Sequence, residues 1–273
     1  MKPAAQALFG GAAKGTSMSY SVVVPISGGK DSQACLKIAL GLFPKEEVVG
    51  IFFDTKFEHP KTYKHIEYMK ELYGVEIISR SAGSVPEKVL KYKRFPGGGA
   101  RHCTDELKLT PSKLFYNELA DKQGGYEVFL GMRWAESSER AKRYENKVSE
   151  DLYEPHEVMA KYPKYLGKKG VRFRLPIVDW STEEVLDYLG GEQNPLYSEG
   201  FDRVGCFPCL ASGDKWKEKA FGHDDFGRAQ RIVVRNLEDE IGIDVFRSKG
   251  GCQRNNVDQT DLFDSPGCAI CEI

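Results

Sequence analysis

Short apolar runs alternate with helical patterns along the first two thirds of the chain. The runs are rich in β-branched and aromatic residues, are too short for helices and end at glycine or polar residues, which is typical of buried parallel strands. They cover residues 20–26, 48–53, 75–79 and 127–131, and a shorter element covers 173–178. Helical spacing follows from Ser32 and again over 60–73, where Pro60 falls in the first turn. This order predicts an α/β fold with a doubly wound, mostly parallel sheet.

The rest of the chain divides into smaller pieces. Residues 143–170 are crowded with charged residues, Tyr and Pro, and predict a long loop or flap. Ser181 with Glu184 three residues later forms a capping box that predicts a helix start, and another helix is predicted over 227–241. The predicted organisation is a flexible tail over 1–19, an α/β domain over 20–193 and a smaller, cysteine-rich helical region over 194–273.

The overall charge is nearly balanced. Lys and Arg number 39 against 40 Asp and Glu, so the global charge calls for neither a nucleic-acid backbone nor an anionic membrane as partner. No apolar run approaches the roughly 20 residues that span a bilayer, and the first residues lack the apolar segment of a secretory signal. Seven cysteines are too few for a disulfide scaffold in a chain of this length. We expect a cytoplasmic protein with no membrane partner.

The segment SGGKDS, from Ser27 to Ser32, lies between the first strand and the first helix. Glycines in this position let backbone amides close on phosphate oxygens, and the helix N-terminus adds partial positive charge. Lys30 adds a full charge. The segment lacks the Gly-x-x-x-x-Gly-Lys spacing of a Walker A loop, so no cleavage at a γ-phosphate is predicted. A turn that merely caps the helix, with Asp31 as a partner of the helix dipole, is the alternative.

The segment resembles the loop of the PP-loop ATP pyrophosphatases, the adenine nucleotide alpha hydrolase-like proteins, whose fold is Rossmann-like. The resemblance implies that ATP binds with Mg²⁺ and reacts at its α-phosphate. The implied phosphate cradle consists of Ser27, Gly28, Gly29 and Ser32. Lys30 and Asp31 are the implied catalytic residues of the loop, Lys30 as an electrostatic stabiliser and Asp31 as a Mg²⁺-binding or loop-ordering group.

The end of the second strand matches the family segment that lines the adenosine pocket. The resemblance places Phe53, Asp54 and Thr55 in that pocket. Lys56 stands where the family usually has Gly. A plain turn at the strand end is the alternative for Asp54.

Later segments resemble the phosphoadenosine phosphosulfate (PAPS) reductase-like branch of this superfamily, and the likeness covers about residues 20–209. Residues 131–140 match the branch's G-x-R-x-x-E-S-x-x-R segment. The match implies that Gly131 and Arg133 bind the nucleotide and that Arg133 and Arg140 are catalytic, since a guanidinium pairs well with sulfate or phosphate oxygens. A solvated helical face is the alternative for these charges. The segments PIVDW and NPLY follow in the branch's order.

Three cysteines fall in segments that carry metal ligands in that branch. Cys103 follows His102 where cluster-containing adenylyl-sulfate reductases have a cysteine pair, and Cys206 and Cys209 form a C-x-x-C. The resemblance therefore implies an iron–sulfur cluster, which normally takes four thiolates. We name Cys268 as the fourth ligand.

The other candidates for the fourth ligand are Cys252, Cys271 and His102. Zinc on the two C-x-x-C pairs, 206–209 and 268–271, is the main rival to a cluster. In a third interpretation Cys268 and Cys271 form a mobile redox pair.

The complete SGGKDS resembles the ATP-using members of the branch, including the DNA phosphorothioation enzymes, and the Glu-Cys-Gly-Leu-His tail of true PAPS reductases is absent in that form. We therefore expect adenylation of an acceptor with release of pyrophosphate, coupled to iron–sulfur-assisted sulfur transfer. Thiol-dependent reduction of adenosine phosphosulfate (APS) or PAPS to sulfite is the alternative, and a non-catalytic nucleotide-binding module with structural zinc is a second. The acceptor is a nucleic acid, a metabolite or a protein, all of which fit the surface composition. A sulfur donor protein or a thiol reductant protein is a candidate partner. Both a monomer and a homodimer are compatible with the sequence.

Overall fold

The computed structural model describes residues 19–97 and 101–246. The tail predicted over 1–19 lies outside the described residues except for its last position. Cys252, Cys268 and Cys271 also lie outside them, so the structure does not test their predicted roles.

Five parallel strands form one sheet in the order β3-β2-β1-β4-β5. The strands are β1 Val22–Ile26, β2 Val48–Asp54, β3 Ile77–Ser81, β4 Glu127–Phe129 and β5 Arg172–Arg174. The strand order reverses between β1 and β4, and the carboxyl ends of these two strands flank the crevice in which such sheets bind ligands. The predicted parallel α/β fold is confirmed.

Helices connect and cover the strands. They are α1 Lys30–Leu42, α2 Pro60–Tyr73, α3 Val85–Tyr92, α4 His102–Thr104, α5 Thr110–Gln123, α6 Ser138–Tyr144, α7 Pro155–Val158, α8 Lys164–Lys168, α9 Thr182–Leu189, α10 Asp214–His223 and α11 Asp225–Ile241. A π-helical turn, Asp105–Leu109, joins α4 to α5. The predicted capping box of α9 is confirmed, because Ser181 and Glu184 each bond the other's backbone amide. Among the described residues, no helix combines the length and the apolar character needed to cross a bilayer.

The strands bury both of their faces, as the continuous apolar runs predict. Val22 and Val24 of β1 pack with residues of α1, α2 and α9 on one face, and Val23 packs with residues of α5 on the other. Two hydrophobic layers therefore hold the sheet rigid, and the loops at the carboxyl ends of β1 and β2 project from this frame.

Residues 143–170 are not a flap, and that prediction is wrong. Tyr153, Val158, Tyr162 and Leu166 are all buried in the core beside β5, and the segment contains α7 and α8. The many charged residues concealed this regular burial of tyrosines and aliphatic residues. Strand β5 is also shorter than predicted and ends before Pro176, which has no backbone N–H for a sheet hydrogen bond.

The described part of the C-terminal region packs on the α/β frame through a third hydrophobic cluster. Val234 and Leu237 of α11 share this cluster with Val85 and Val89 of α3. Helix α10 was not predicted, whereas the helix predicted over 227–241 corresponds to α11. The boundary proposed at residue 193 stays a prediction.

Candidate functional site

The loop after β1 is built around glycine conformations. Gly28 has a positive φ of 74°, and a Cβ atom added there would lie 2.5 Å from Cγ2 of Thr62. The amide of Ser27 donates to Oγ of Ser32 over 3.2 Å, and the amide of Gly29 donates to Oγ of Ser27 over 3.3 Å. The loop therefore closes tightly over the start of α1, and only glycine fits at its second position.

Lys30 is buried at the first position of α1, with 5% of its surface exposed. Its amide donates to the hydroxyl of Tyr197 over 3.0 Å, and its ammonium lies 3.5 Å from Oδ2 of Asp31. Burial lowers the pKa of Lys30, an effect that the carboxylate of Asp31 opposes and the charge of Arg133 reinforces. A largely desolvated cation thus stands next to a helix N-terminus, an arrangement that attracts phosphate.

Arg133 supports the loop from behind. Its Nε donates to Oδ1 of Asp31 over 2.7 Å and its Nη1 donates to the carbonyl of Trp180 over 3.1 Å, and only 2% of the residue is exposed. Gly131 passes so close to α1 that an added Cβ would lie 2.8 Å from the backbone carbon and oxygen of Asp31. The segment after β4 therefore packs directly on the first turn of α1.

Arg140 lies near the same charges but is 39% exposed at its side chain and pairs with Glu136. Burial lowers its pKa, and Asp31 is among the charges that oppose this shift. The structure thus brings Lys30, Asp31 and Arg133 into contact and places Arg140 within electrostatic reach of them. Their predicted catalytic and nucleotide-binding roles stay predictions.

The residues predicted for the adenosine pocket separate into different settings. Phe53 is buried in the core on the α5 face of the sheet. Asp54 is 4% exposed and accepts hydrogen bonds from the amide of Lys56 and the hydroxyl of Tyr63, each over 2.8 Å. Burial opposes ionisation, but the hydrogen bonds from Lys56 and Tyr63 outweigh it and lower the pKa of Asp54.

Lys56 has a positive φ of 56°, in the left-handed region that favours glycine. Glycine would adopt this conformation without strain, whereas lysine pays a steric cost for it. The ammonium of Lys56 lies 2.6 Å from Oδ2 of Asp54 and so gives the lysine a contact that glycine cannot make.

Thr55 reaches a different neighbour, the thiol of Cys206. We call residues 27–32 the phosphate loop after their predicted role. A cavity of about 130 Å³ is lined by this loop, the end of β2 and the cysteine segments. Its lining includes Ser27, Thr55, Arg101, Cys103, Lys108, Arg203, Cys206 and Cys209. In this cavity Oγ1 of Thr55 lies 3.3 Å from Sγ of Cys206 and donates to Oε1 of Glu58 over 2.8 Å. We call this space the thiol cavity.

Backbone pairing brings the C-x-x-C to the turn that follows β2. Glu58 and Cys206 form an antiparallel bridge, and the amide of Phe207 donates to the carbonyl of Phe57 over 2.7 Å. The helical turns from α4 to α5 carry Cys103 and Lys108, which line the same cavity. Three thiols from two separate segments thus line one cavity, and their role as metal ligands stays a prediction.

The thiols and the lysine of this cavity perturb each other. Burial raises the pKa of Cys103, and it raises the pKa of Cys206 to about 12 against the opposing charge of Lys108. The charge that Cys206 carries as a thiolate is the largest influence raising the pKa of Lys108. Lys108 is therefore placed to compensate negative charge on the sulfurs.

The described residues do not contain a complete metal site. Within 19–97 and 101–246, no group of three His, Cys, Asp or Glu side chains stands ready to hold one metal ion. His102 is 6% exposed and stacks on Tyr92 with ring centroids 4.7 Å apart, and neither of its ring nitrogens has a hydrogen-bond partner among the described residues. Cys268 and the other candidates for the fourth ligand lie outside those ranges.

A second cavity of about 420 Å³ lies between α2 and the edge strand β3. Its lining includes Asp54 and Tyr63 but no residue of the phosphate loop. The loop over residues 27–32 and the larger cavity are therefore separate.

Sequence reasoning missed Glu58, Lys108 and Tyr197 as site residues. Glu58 resembles an ordinary turn residue after a strand, although it is 3% exposed. The signal for Lys108 was its position five residues after Cys103 on a helical pattern. Tyr197 falls in the matched segment NPLY, but nothing in that segment indicates its contact with Lys30, which spans 167 positions.

Comparison with known proteins agrees with this geometry. A protein of Methanocaldococcus jannaschii of uncharacterised function is 34% identical over 193 residues, which is 70% of this chain and 36% of that protein. An adenosine 5'-phosphosulfate reductase of Rhodococcus erythropolis is 26% identical over 167 residues, which is 59% of this chain and 58% of the reductase. The chain thus spans between about a third and three fifths of the length of these relatives.

Among solved structures, the U34-tRNA thiolase NcsA from Methanococcus maripaludis, with its [4Fe-4S] cluster, aligns with 94% of this chain and 82% of its own at 17% identity and a TM-score of 0.45. The PAPS reductase of Candida auris aligns with 69% of this chain and 82% of its own at 18% identity and a TM-score of 0.44. The family model of the phosphoadenosine phosphosulfate reductase domain matches residues 21–212. That match includes both the phosphate loop and the C-x-x-C of the thiol cavity, and the chain therefore belongs to the phosphoadenosine phosphosulfate reductase domain family within the PP-loop superfamily.

Proposed function

We propose that this chain binds ATP, or a related adenine nucleotide, on residues 27–32 and uses the α-phosphate to activate an acceptor for sulfur transfer. One observation carries the proposal: Ser27 of the phosphate loop and the thiols of Cys103, Cys206 and Cys209 line the same cavity. A reacting phosphate on the loop and a sulfur atom held by the cysteines would therefore meet without a large movement of the chain.

The first step is adenylation. An acceptor oxygen attacks the α-phosphorus, a new P–O bond forms, and the bond to the leaving pyrophosphate breaks with its electron pair on oxygen. The amides at the start of α1 and the buried ammonium of Lys30 stabilise the charge that develops on the phosphate oxygens. Arg133 holds Asp31, and through it the loop, in position. Mg²⁺ on the phosphates would lower the repulsion further.

The second step forms the carbon–sulfur bond. A hydrosulfide attacks the activated carbon of the acceptor, the C–S bond forms, and AMP leaves with the electron pair of the C–O bond. Sulfur enters and leaves at the same oxidation level, so this step needs no reductant. Lys108, Arg101 and Arg203 line the cavity and attract the anionic sulfur source.

The occupant proposed for the thiol cavity is an iron–sulfur cluster, because three cysteines line the cavity and thiolates are the ligands that such clusters bind. Cys103, Cys206 and Cys209 would hold the cluster, with Cys268 as our proposed fourth ligand. A bound cluster would supply an iron that can carry sulfide. Lys108 would compensate part of the thiolate charge. Zinc on the pairs 206–209 and 268–271 is the rival occupant.

Thiol-dependent reduction of APS or PAPS is the second candidate, and the relatives named as reductases favour it. A thiol would attack the sulfate sulfur, AMP or its 3'-phosphate would leave, and a second thiol would release sulfite and form a disulfide. Because burial raises the pKa of Cys206 to about 12, this thiol is a poor free nucleophile. In this candidate the attacking thiol belongs to another cysteine of the chain or to a reductant protein.

Product analysis separates these candidates. Protein purified without oxygen is analysed for iron, sulfide and zinc, and then incubated with ATP, Mg²⁺, hydrosulfide and cellular RNA or metabolite fractions. Sulfur transfer predicts that the purified protein contains iron and sulfide. It also predicts that AMP and pyrophosphate form only when the fraction that contains the acceptor is present. Sulfite from APS or PAPS with dithiothreitol would favour the reductase. Zinc with nucleotide binding but no product would favour the non-catalytic module.

Matched lysine variants test the role of the loop. Lys30→Gln removes the buried cation at the phosphate loop, whereas Lys37→Gln removes a cation on the same helix whose side chain is 32% exposed and pairs with Glu192. We expect the first variant to lose product formation and the second to retain it. Equal activity in both variants would contradict the proposal.

A further inference from the structure

One segment links the phosphate loop to the thiol cavity. Asn194 is fully buried and its Nδ2 donates to the carbonyl of Gly28 over 3.1 Å. Three residues later the hydroxyl of Tyr197 accepts a hydrogen bond from the amide of Lys30. The carbonyl of Val204 lies 3.5 Å from the point that a Cβ atom added to Gly29 would occupy. Two residues further, Cys206 contacts Thr55 and Glu58. We call residues 194–206 the strap.

Tyr197 occupies the part of the loop where an anion would bind. Its hydroxyl oxygen lies 3.1 Å from the Cβ position of Gly29, and the ammonium of Lys30 lies 5.1 Å from the centre of its ring. The amide of Lys30 belongs to the first turn of α1, where amides have no partner within the helix. Such amides are the donors that a helix N-terminus offers to phosphate oxygens.

Two parts of the strap meet the loop at one point. The hydroxyl of Tyr197 lies 3.1 Å and the carbonyl of Val204 lies 3.5 Å from the same Cβ position of Gly29. A phosphate oxygen that took this point would displace both the hydroxyl and the strap backbone two residues before Cys206.

We infer that the Tyr197 hydroxyl takes the place of a nucleotide phosphate oxygen on the Lys30 amide, and that a bound phosphate displaces it and loosens the strap at Cys206. Tyr197 is thus a positioning residue that couples occupancy of the phosphate loop to the thiol cavity. This inference rests on the proposed binding of an adenine nucleotide at residues 27–32. No covalent step is involved.

The substitution Tyr197→Phe tests the competition, because it removes the hydroxyl and keeps the ring. Calorimetry with Mg²⁺-ATP compares this variant with the wild type and with Tyr165→Phe, whose tyrosine is 46% exposed on α8. A phosphate that no longer competes for the amide should bind about 2- to 10-fold more tightly to Tyr197→Phe, the range expected for one hydrogen bond. The control should match the wild type. A purely structural role of Tyr197 predicts equal or weaker binding, and that result would overturn the inference.

Alkylation of Cys206 tests the link to the cavity. Nucleotide-free protein is treated with iodoacetamide, and modification of Cys206 is followed by peptide mass spectrometry. Cys206 should react faster in Tyr197→Phe than in the wild type or in Tyr165→Phe. Tighter ATP binding with an unchanged alkylation rate would overturn the coupling. If neither ATP nor APS nor PAPS binds to the wild-type protein, the proposed function fails first and the inference fails with it.

Discussion

The close approach of Gly131 to α1 gives the sharpest test of the site's architecture. In Gly131→Ala the new methyl group would lie 2.8 Å from the backbone carbon and oxygen of Asp31, and the nearest side-chain atom, Cβ of Asp31, would lie at 3.1 Å. An ordinary contact begins at 3.4 Å, so the two segments must separate by about 0.6 Å. Backbone atoms cannot rotate away as a flexible side chain can. The first turn of α1, and the phosphate loop with it, must move.

The cost follows from overpacking. Forcing one extra methyl group into a packed contact costs about 1–3 kcal/mol, and in a chain of this size that corresponds to a fall in Tm of about 2–10 °C. The displaced loop should also bind Mg²⁺-ATP at least about 10-fold more weakly, because phosphate-binding geometry tolerates little displacement. Thermal unfolding followed by circular dichroism measures the first effect, and calorimetry measures the second.

Gly41→Ala is the matched control. Gly41 lies near the end of the same helix, and an added Cβ would have no neighbouring atom within 4 Å. Alanine in a helix should stabilise the protein by up to about 1 kcal/mol and leave ATP binding unchanged. If Gly131→Ala kept the Tm and the ATP affinity of the wild type, the packing of residue 131 on Asp31 would not control the loop, and our account of the site would be refuted.

Three further variants probe the supports of the loop and of α2. Arg133→Met leaves Asp31 without its buried partner and should lower the free energy of unfolding by about 3 kcal/mol, measured by urea unfolding, whereas the exposed Lys142→Met should change it little. Asn194→Ala removes the bond to the carbonyl of Gly28 and should destabilise the protein by about 1–3 kcal/mol in the same assay, and no change would show that this bond does not hold the loop. Burial lowers the pKa of His65 to about 4, so the folded protein binds fewer protons at this residue than the unfolded chain does. The free energy of unfolding should therefore be highest above about pH 6.5 and should fall by about 3 kcal/mol as the pH drops towards 4. His65→Gln should reduce that loss between about pH 7 and pH 4.5, and an unchanged slope in urea unfolding would contradict the assignment.

The sheet could be predicted because its strands carry their own signal. The run at Val22–Ile26 is apolar at every position and is followed by glycines, so its burial and its end are both visible locally. The segment over 143–170 could not be predicted in the same way. Its tyrosines bury their rings and keep polar atoms in hydrogen bonds, as Tyr162 does with Ser112 over 2.8 Å, and such residues do not form an apolar run.

The sequence predicts the parts of the site that depend on local backbone conformation. It does not predict the contacts between side chains that are distant along the chain. The positive φ of Gly28 follows from the loop sequence, because a glycine-rich turn between a strand and a helix has few other uses. The pairing of Glu58 with Cys206 spans 148 positions and depends on how the C-x-x-C segment docks on the turn after β2. Local patterns contain no information about such docking, and only the likeness to a family indicated that the cysteines would meet.

The balanced composition conceals a strongly polarised site. Two acidic residues near the loop are paired with cations, Asp31 with Arg133 and Asp54 with Lys56. The cations that line the thiol cavity, Arg101, Lys108 and Arg203, face sulfurs and the phosphate loop. A chain with a net charge of −1 can therefore present a positive local field. Asp31 and Asp54 are each paired with a cation, whereas three cations line the same cavity. The balanced global charge is compatible with an anionic substrate, and the cations around the cavity favour an anionic substrate.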